Sequence, residues 1–312
     1  MRPQVAFLGY VGRVRAVQFK SFGGPEVLEL VEVPEPHATA TQIRVAVKAV
    51  AVNPIDWKHR QGVLGGDLPR GTGVEVSGVV DEVGAEIADV AVGDAVFGAT
   101  KNGAAEFAVL EHYARIPSSV DFAHAAALPI AVETAVRTLD LLGVGEGQTV
   151  LVNGAAGAVG IATVQLARAR GARVIGTASE SNHDYLRVFG ATPTTYGDGL
   201  VERVRELAPD GVDLAIDDAG GGALPALVEL TGSPGRVVTI ADYAGSQETG
   251  VQMTGGPDSK RAWCALDEIG ALIDAGRFTL PVAQTFPLEQ IAEAHRLSET
   301  GHVRGKLVLL VG

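Results

Sequence analysis

The run VNGAAGAVG, residues 152–160, places three glycines at every third position between an apolar run, Thr149–Val152, and a segment of helical spacing, Ile161–Arg168. A strand, a glycine turn and a helix in that order form the opening of a dinucleotide-binding unit. Gly154 permits the tight turn, Gly157 lets the backbone approach a pyrophosphate, and Gly160 lets helix and strand pack closely. The helix start then offers free N–H groups and a positive dipole end to phosphate. Ala156, Gly157, Ala158, Val159 and Gly160 are therefore candidate cofactor-binding residues. The turn lacks the Lys-Ser/Thr pair of a phosphate-transfer loop, which disfavours ATP.

Outward from this turn, strand and helix alternate. Strands are expected at 149–153, 173–177, 192–196, 212–217 and 236–240, and helices at 158–170, 182–189, 199–207 and 223–230. Such alternation predicts a doubly wound parallel sheet, a Rossmann unit. Upstream, β-branched runs at 14–20, 27–33, 42–52, 76–83, 95–97 and 106–110 are separated by glycine- and proline-rich turns, which suits a small, irregular β-barrel. Residues 121–144 read as one helix interrupted by Pro129 or as two helices. After a helical stretch (259–276), residues 278–286 are extended, 287–300 helical and 305–311 a closing strand that returns to the first domain. The fold class is α/β, with the β-barrel in 1–130 and 276–312 and the Rossmann unit in 131–275.

The 312 residues suffice for two domains, and 46% are apolar, enough for a sizeable core. A formal charge of −12 argues against a nucleic-acid partner, because a duplex binder needs a basic face. One cysteine, Cys264, excludes an intramolecular disulfide and points to the cytoplasm. No segment approaches the roughly 18 apolar residues of a membrane span. The seven histidines (His37, His59, His112, His124, His183, His295 and His302) are scattered without ligand spacing and read as surface or capping residues.

An NAD site ends its second strand in an acid for the ribose hydroxyls. Here Ala178 and Ser179 occupy that tip. Ser179, Ser181 and Asn182 are candidate donors to a 2′-phosphate, which favours NADP (as NADPH) over NAD, although Glu180 opposes it and no Lys or Arg stands in the loop. Helix capping is an equally ordinary role for the two serines.

The chain resembles the zinc-free medium-chain dehydrogenase/reductases of the quinone oxidoreductase (zeta-crystallin-like) family. The resemblance runs from Val14 to Val311 and is carried by "FGGPEVLEL" (22–30), "VNPIDWKHRQG" (52–62), "GTGVEVSGVVDEVG" (71–84), "VGDAVFG" (92–98), "AALPIAVETA" (126–135), the glycine turn, "FGA" (189–191) and "RGKLVLLV" (304–311). Residues 1–13 precede the family's usual start and stand as an extension or a misplaced start. The resemblance implies a GroES-like barrel for the first domain, and a homo-oligomer, a dimer or a tetramer. Asn53 stands where zinc-dependent relatives have their first cysteine ligand, and Val74 in Gly73-Val74-Glu75 stands where they have histidine, so no zinc is expected.

By the same resemblance, Asn53, Trp57, Lys58 and Thr134 form the reaction end. Asn53 lies beside the nicotinamide ribose, the segment to Lys58 lines the substrate cleft, and Thr134 contacts the nicotinamide. Ile240 and Ala241 border the ring end of the cofactor, Tyr196 lies by the adenosine phosphate, and Gly220 marks a close approach. The chain departs from the family at Lys58, often tyrosine, at Ser181, often basic, and at Glu133, usually glycine or apolar. Among the remaining residues, Asp56 shapes the loop after Pro54 or acts as an acid/base, and Trp57 stacks on substrate or fills a domain junction. Glu75 is a structural hydrogen-bond partner. Lys306 reaches a cofactor phosphate or is a surface charge. The expected activity is NADPH-dependent, metal-independent hydride transfer to a quinone or an α,β-unsaturated carbonyl. The alternatives are a non-catalytic NADPH-binding regulatory or RNA-binding protein and, behind it, a zinc alcohol dehydrogenase.

Overall fold

In the computed structural model, the described residues are 12–256 and 258–312, so residues 1–11 of the leading segment lie outside them. The alternating apolar runs of the first lobe form strands. β1 (Arg13–Phe19) pairs antiparallel with β2 (Glu29–Pro34). β3 (Ile43–Val52) leads into the short helix α1 (Pro54–Arg60). There follow β4 (Arg70–Gly71), β5 (Glu75–Val83), β6 (Ala95–Ala99), β7 (Phe107–Leu110) and β8 (His112–Arg115). The stretch around Pro129 resolves into two helices, α2 (Phe122–Ala126) and α3 (Leu128–Leu142). Pro129 lies in the first turn of α3, where its missing N–H leaves no bond unmade.

The second lobe alternates as the sequence predicts: β9 (Thr149–Asn153), α4 (Ala158–Ala169), β10 (Arg173–Thr177), α5 (His183–Val188), β11 (Thr192–Thr194), α6 (Leu200–Leu207), β12 (Leu214–Asp217), α7 (Leu224–Thr231) and β13 (Val237–Thr239). A further helix, α8 (Tyr243–Thr249), and an edge strand, β14 (Gln252–Met253), extend it. The strands form a parallel sheet in the order β11-β10-β9-β12-β13-β14. Every residue of β9 is buried, and α4 buries Ile161 and Val164 completely. Each such side chain contributes about 1.5–3 kcal/mol. Strand order reverses on either side of β9, and ligands of doubly wound sheets bind at the carboxyl ends of the strands at that switch.

The chain closes with α9 (Ala265–Asp274), β15 (Val282–Pro287), α10 (Ile291–Glu299) and β16 (Lys306–Leu310). β16 pairs antiparallel with β3, giving a mixed sheet in the order β15-β16-β3-β5-β6-β8 with β7 also on β3. The return to the first lobe is thus as expected, and it carries Lys306 into the space between the lobes.

Two expectations fail here. The helix predicted over 259–276 begins only at Ala265, because Ala262 N–H donates to the Glu133 carboxylate at 3.1 Å and Arg261 reaches the Gly255 carbonyl at 2.8 Å, fixing a loop instead. His295 is not a surface residue. It is 1% exposed on the inner face of α10, with Ile291 and Ala294. Burial and the neighbouring Arg60 push its imidazole down to about 3, so it is held neutral. Among the described residues, no helix is long and apolar enough to cross a membrane.

Candidate active site

A cleft of about 1040 Å³ runs between the lobes. One wall is the glycine turn. Gly154 stands at φ +82°, and its N–H donates to Thr177 Oγ1 at 3.1 Å. Thr177 donates to Asn153 Oδ1 (2.7 Å), and Asn153 Nδ2 donates to Asp217 Oδ1 (2.8 Å). The other Asp217 oxygen accepts from Thr239 Oγ1 (2.7 Å). This buried chain ties together the ends of β9, β10, β12 and β13, so the turn is held on a rigid base. Gly157, the residue before α4, is extended and gives no side-chain cap. The first turn of α4, residues 158–160, lines the cleft with no side chain capping it, as an anion site requires. A parallel bridge between Gly157 and Gly305 joins the turn to the segment before β16.

The opposite wall is built on α1. Asp56 accepts from the Asn53 N–H (2.8 Å) and the Gly73 N–H (3.1 Å), fixing the loop as one of its two readings held. Burial pushes its carboxyl up to about 6. Trp57 donates from Nε1 to Ser298 Oγ at 3.2 Å, and the Lys58 ammonium lies 5.8 Å from the Trp57 ring centroid. Behind them, Asn53 Nδ2 donates to Glu75 Oε1 (2.7 Å), and the Ile130 N–H donates to Glu75 Oε2 (2.7 Å). Lys306 Nζ donates to Asn53 Oδ1 (2.5 Å) and to Glu75 Oε1. Burial raises the Glu75 carboxyl against the pull of Lys306 and these donors.

Comparison with known proteins places this arrangement. Residues 39–120 match the alcohol dehydrogenase GroES-like domain, and residues 189–309 match a family described as zinc-binding dehydrogenase. A quinone oxidoreductase of Rattus norvegicus is 31% identical over 96% of this chain and 98% of its own length. The chain belongs to the quinone oxidoreductase family. An NADPH-dependent alkenal/one oxidoreductase of Arabidopsis thaliana is also 31% identical, over 95% of this chain and 79% of that protein. The spectinabilin polyketide synthase system protein NorB of Streptomyces orinoci is 35% identical over 92% of this chain, which spans only 14% of it. Among solved structures, the quinone oxidoreductase of Coxiella burnetii superposes with a TM-score of 0.83 at 30% identity, over 96% of this chain and all of that one. The Escherichia coli quinone oxidoreductase complexed with NADPH superposes with a TM-score of 0.82 at 25% identity, over 95% and 99%.

Of the residues that the family resemblance and the glycine turn single out, the cleft brings together Asn53, Trp57, Lys58, Ala156, Gly157, Ala158, Val159, Gly160, Ser179, Asn182, Tyr196, Gly220 and Ala241. Thr134, Ser181 and Ile240 do not line it. Thr134 is buried, its hydroxyl donating to Glu133 (3.3 Å) and accepting from Arg137 (3.3 Å). Ser181 stands one step back, with its hydroxyl 3.1 Å from that of Ser179. The Ser179 side chain makes no helix-cap bond, and Glu180 is exposed away from the cleft.

The contacts of three residues were not foreseen in the sequence. Lys306 is not a surface charge, for it is 3% exposed and paired with Glu75. Arg304 is exposed and does not itself line the cleft, but it brings a base to the loop after β10: its Nη2 donates to the Ser181 carbonyl (3.0 Å), and its guanidinium lies 5.8 Å from the Tyr185 ring centroid. Asp218 lines the cleft beside Gly220, with Oδ2 accepting from Thr163 Oγ1 (3.2 Å) and, among the described residues, no partner for the buried Oδ1. Such orphaned oxygens, here and at Asn182 Oδ1, suit a ligand rich in hydroxyl and amide donors. The only local signals were the Gly-Lys before the last strand and the Asp-Asp pair, and neither announces a partner.

Burial and neighbouring Asp217 push Asp218 up to about 7. Its carboxyl thus binds a proton more tightly in the folded chain than in the unfolded one. That contribution to stability is present below about pH 4 and lost as pH rises through about 7. Asp218→Asn is expected to gain stability relative to the parent across that window and no further above it. Urea unfolding at a series of pH values measures this, and a pH-independent difference would contradict it.

Proposed function

We propose that this chain is an NADPH-dependent oxidoreductase that passes hydride to a quinone or an α,β-unsaturated carbonyl without a metal ion. The observation that carries the reading is the cleft itself, with an uncapped helix start on one wall and a reaction end of Asn53, Trp57 and Lys58 on the other. Residues 131–275 serve the cofactor in this reading, and 1–130 with 276–312 serve the substrate.

The α4 N–H groups hold the pyrophosphate, and Gly157 leaves room for it. Ser179, Asn182, Tyr196 and Arg304 receive the phosphorylated ribose, with Arg304 supplying the positive charge a 2′-phosphate needs. Gly220 and Ala241 flank the other half. When bound, the reduced nicotinamide supplies the hydride. Trp57 and Lys58 orient the acceptor in the cleft.

The residues present do not fit zinc. A catalytic zinc site needs three protein ligands of histidine, cysteine or carboxylate type. Here Asn53 and Val74 hold the expected ligand places, and among the described residues no group of three or more His, Cys, Asp or Glu is placed to hold a metal. Quinones and conjugated carbonyls can accept hydride without a metal to polarise them, and the likeness to the rat quinone oxidoreductase and the Arabidopsis alkenal/one oxidoreductase supports these two acceptor classes.

A calorimetric titration tests the cofactor half. NADPH is expected to bind about tenfold or more tightly than NADH, with Arg304→Gln and Ser179→Asp each narrowing the gap. Equal affinities in the parent chain would overturn the phosphate assignment.

A further inference from the structure

The buried ammonium of Lys306 lies against two residues of the stretches where the family resemblance puts the ligands of zinc-dependent relatives. Asn53 stands at the first of those positions and Glu75 directly after the second, and Lys306 donates to both. This lysine comes from the first residue of β16, more than 230 positions away in sequence from Glu75. An ammonium has three donors. Two are used on Asn53 and Glu75, and no acceptor for the third occurs among the described residues. Lys306 nevertheless lines the cleft, together with Asn53, Trp57 and Lys58. A buried ion pair is an expensive way to join two strands, and apolar side chains of similar volume do so at least as well. A positive charge held at the reaction end therefore calls for a use beyond packing.

We infer that Lys306 is a catalytic residue, a built-in cation whose free N–H stabilises negative charge on the acceptor's carbonyl oxygen as hydride arrives. The inference rests on the hydride-transfer reading above. In the step, a C–H bond of the reduced cofactor breaks with its electron pair, and a new C–H bond forms at the β-carbon of the enone. The displaced π electrons move to the carbonyl oxygen, giving an enolate that accepts the Lys306 hydrogen bond. A proton from water then completes the saturated carbonyl. The cofactor is oxidised by two electrons, the acceptor is reduced by two, and Lys306 ends the step protonated as it began. The donor is fixed in advance by Asn53 and Glu75, which is the condition under which such a contact strengthens most in the transition state.

The test compares the parent chain with Lys306→Met, Lys306→Arg and the double variant Lys306→Met/Glu75→Gln. The double variant leaves no uncompensated buried charge and keeps the protein folded if the single one fails. Kd for NADPH is measured by calorimetry. Turnover of but-3-en-2-one is measured with NADPH and with NADPH deuterated at the transferred position. The expected result is NADPH affinity within about twofold of the parent, kcat lower by about 100-fold, a larger deuterium isotope effect, and partial recovery in Lys306→Arg. Full turnover by the double variant would overturn the inference. So would a loss of turnover matched by an equal loss of NADPH affinity, which would move Lys306 to the cofactor site. A parent chain that binds NADPH but reduces neither this enone nor 1,4-benzoquinone would sink the underlying reading as well, and that outcome is visible before any variant is made.

Discussion

Gly160→Ala is expected to cost about 3 kcal/mol of stability, whereas Gly157→Val leaves the fold within about 1 kcal/mol and removes cofactor binding. A Cβ on Gly160 meets the Gly154 carbonyl oxygen and lies 2.6 Å from Ala155 Cα. Both obstacles are backbone, so α4 must move off β9, and the buried faces of Ile161 and Val164 move with it. Gly157 differs. Its φ of −74° suits any residue, and the nearest atom to an added Cβ is the Gly154 oxygen at 3.6 Å. The valine branches would instead occupy the space in front of the free N–H groups of α4, and NADPH affinity should fall by at least about 100-fold. Denaturant unfolding and calorimetric titration on the same two variants separate the effects. Equal stability of the two, or unchanged NADPH binding by Gly157→Val, would contradict the turn's assignment.

Glu133→Ala is expected to destabilise by about 3–5 kcal/mol. Glu133 is fully buried and accepts from Arg137 Nε at 2.8 Å, from the Ala262 N–H and from Arg261. Arg137 is also buried and reaches Thr254 Oγ1 at 2.7 Å. Removing the carboxylate strands a guanidinium in the interior and releases the loop between β14 and α9. Limited proteolysis should then cut near residues 258–262 faster than in the parent. The pair Glu133→Leu/Arg137→Met should recover much of the stability, since neither charge remains to be compensated. The sequence could suggest only that a charged residue at this position alters the pocket. The structure turns it into a staple that holds a loop.

That difference shows how far the sequence can be read. The parallel sheet was legible because each of its central strands is a short apolar run followed by a helix of regular spacing. The return of the last strand to the first sheet was legible from the motif order. The pieces missed are short or lie at edges. β4, β8 and β14 have two to four residues, too few for a period to show, and α1 and α8 are seven-residue helices. His295 was misplaced although its helix phase was readable, since Ile291, Ala294 and His295 share one face at the spacing of a buried stripe.

At the site, the glycine turn could be found because its three residues act locally, within one strand–helix junction. Lys306, Arg304 and the Glu133–Arg261 contact act across 120 or more positions. Nothing near each residue names its partner, so only the folded chain shows a cation between Asn53 and Glu75, or a base beside Ser181. Thr134 and Ile240 stand behind the cleft wall for a related reason. A family motif fixes position along the chain, while side-chain direction depends on neighbours such as Glu133 and Arg137.

The central claim is that electrons reach an organic acceptor here with no metal ion taking part. Its most direct measurement is NADPH oxidation by protein stripped with a chelator and shown by elemental analysis to hold no zinc, with 1,4-benzoquinone and but-3-en-2-one as acceptors. Turnover equal to that of untreated protein, and unaffected by added zinc, is the predicted result. Activity that vanishes on stripping and returns with zinc would contradict it.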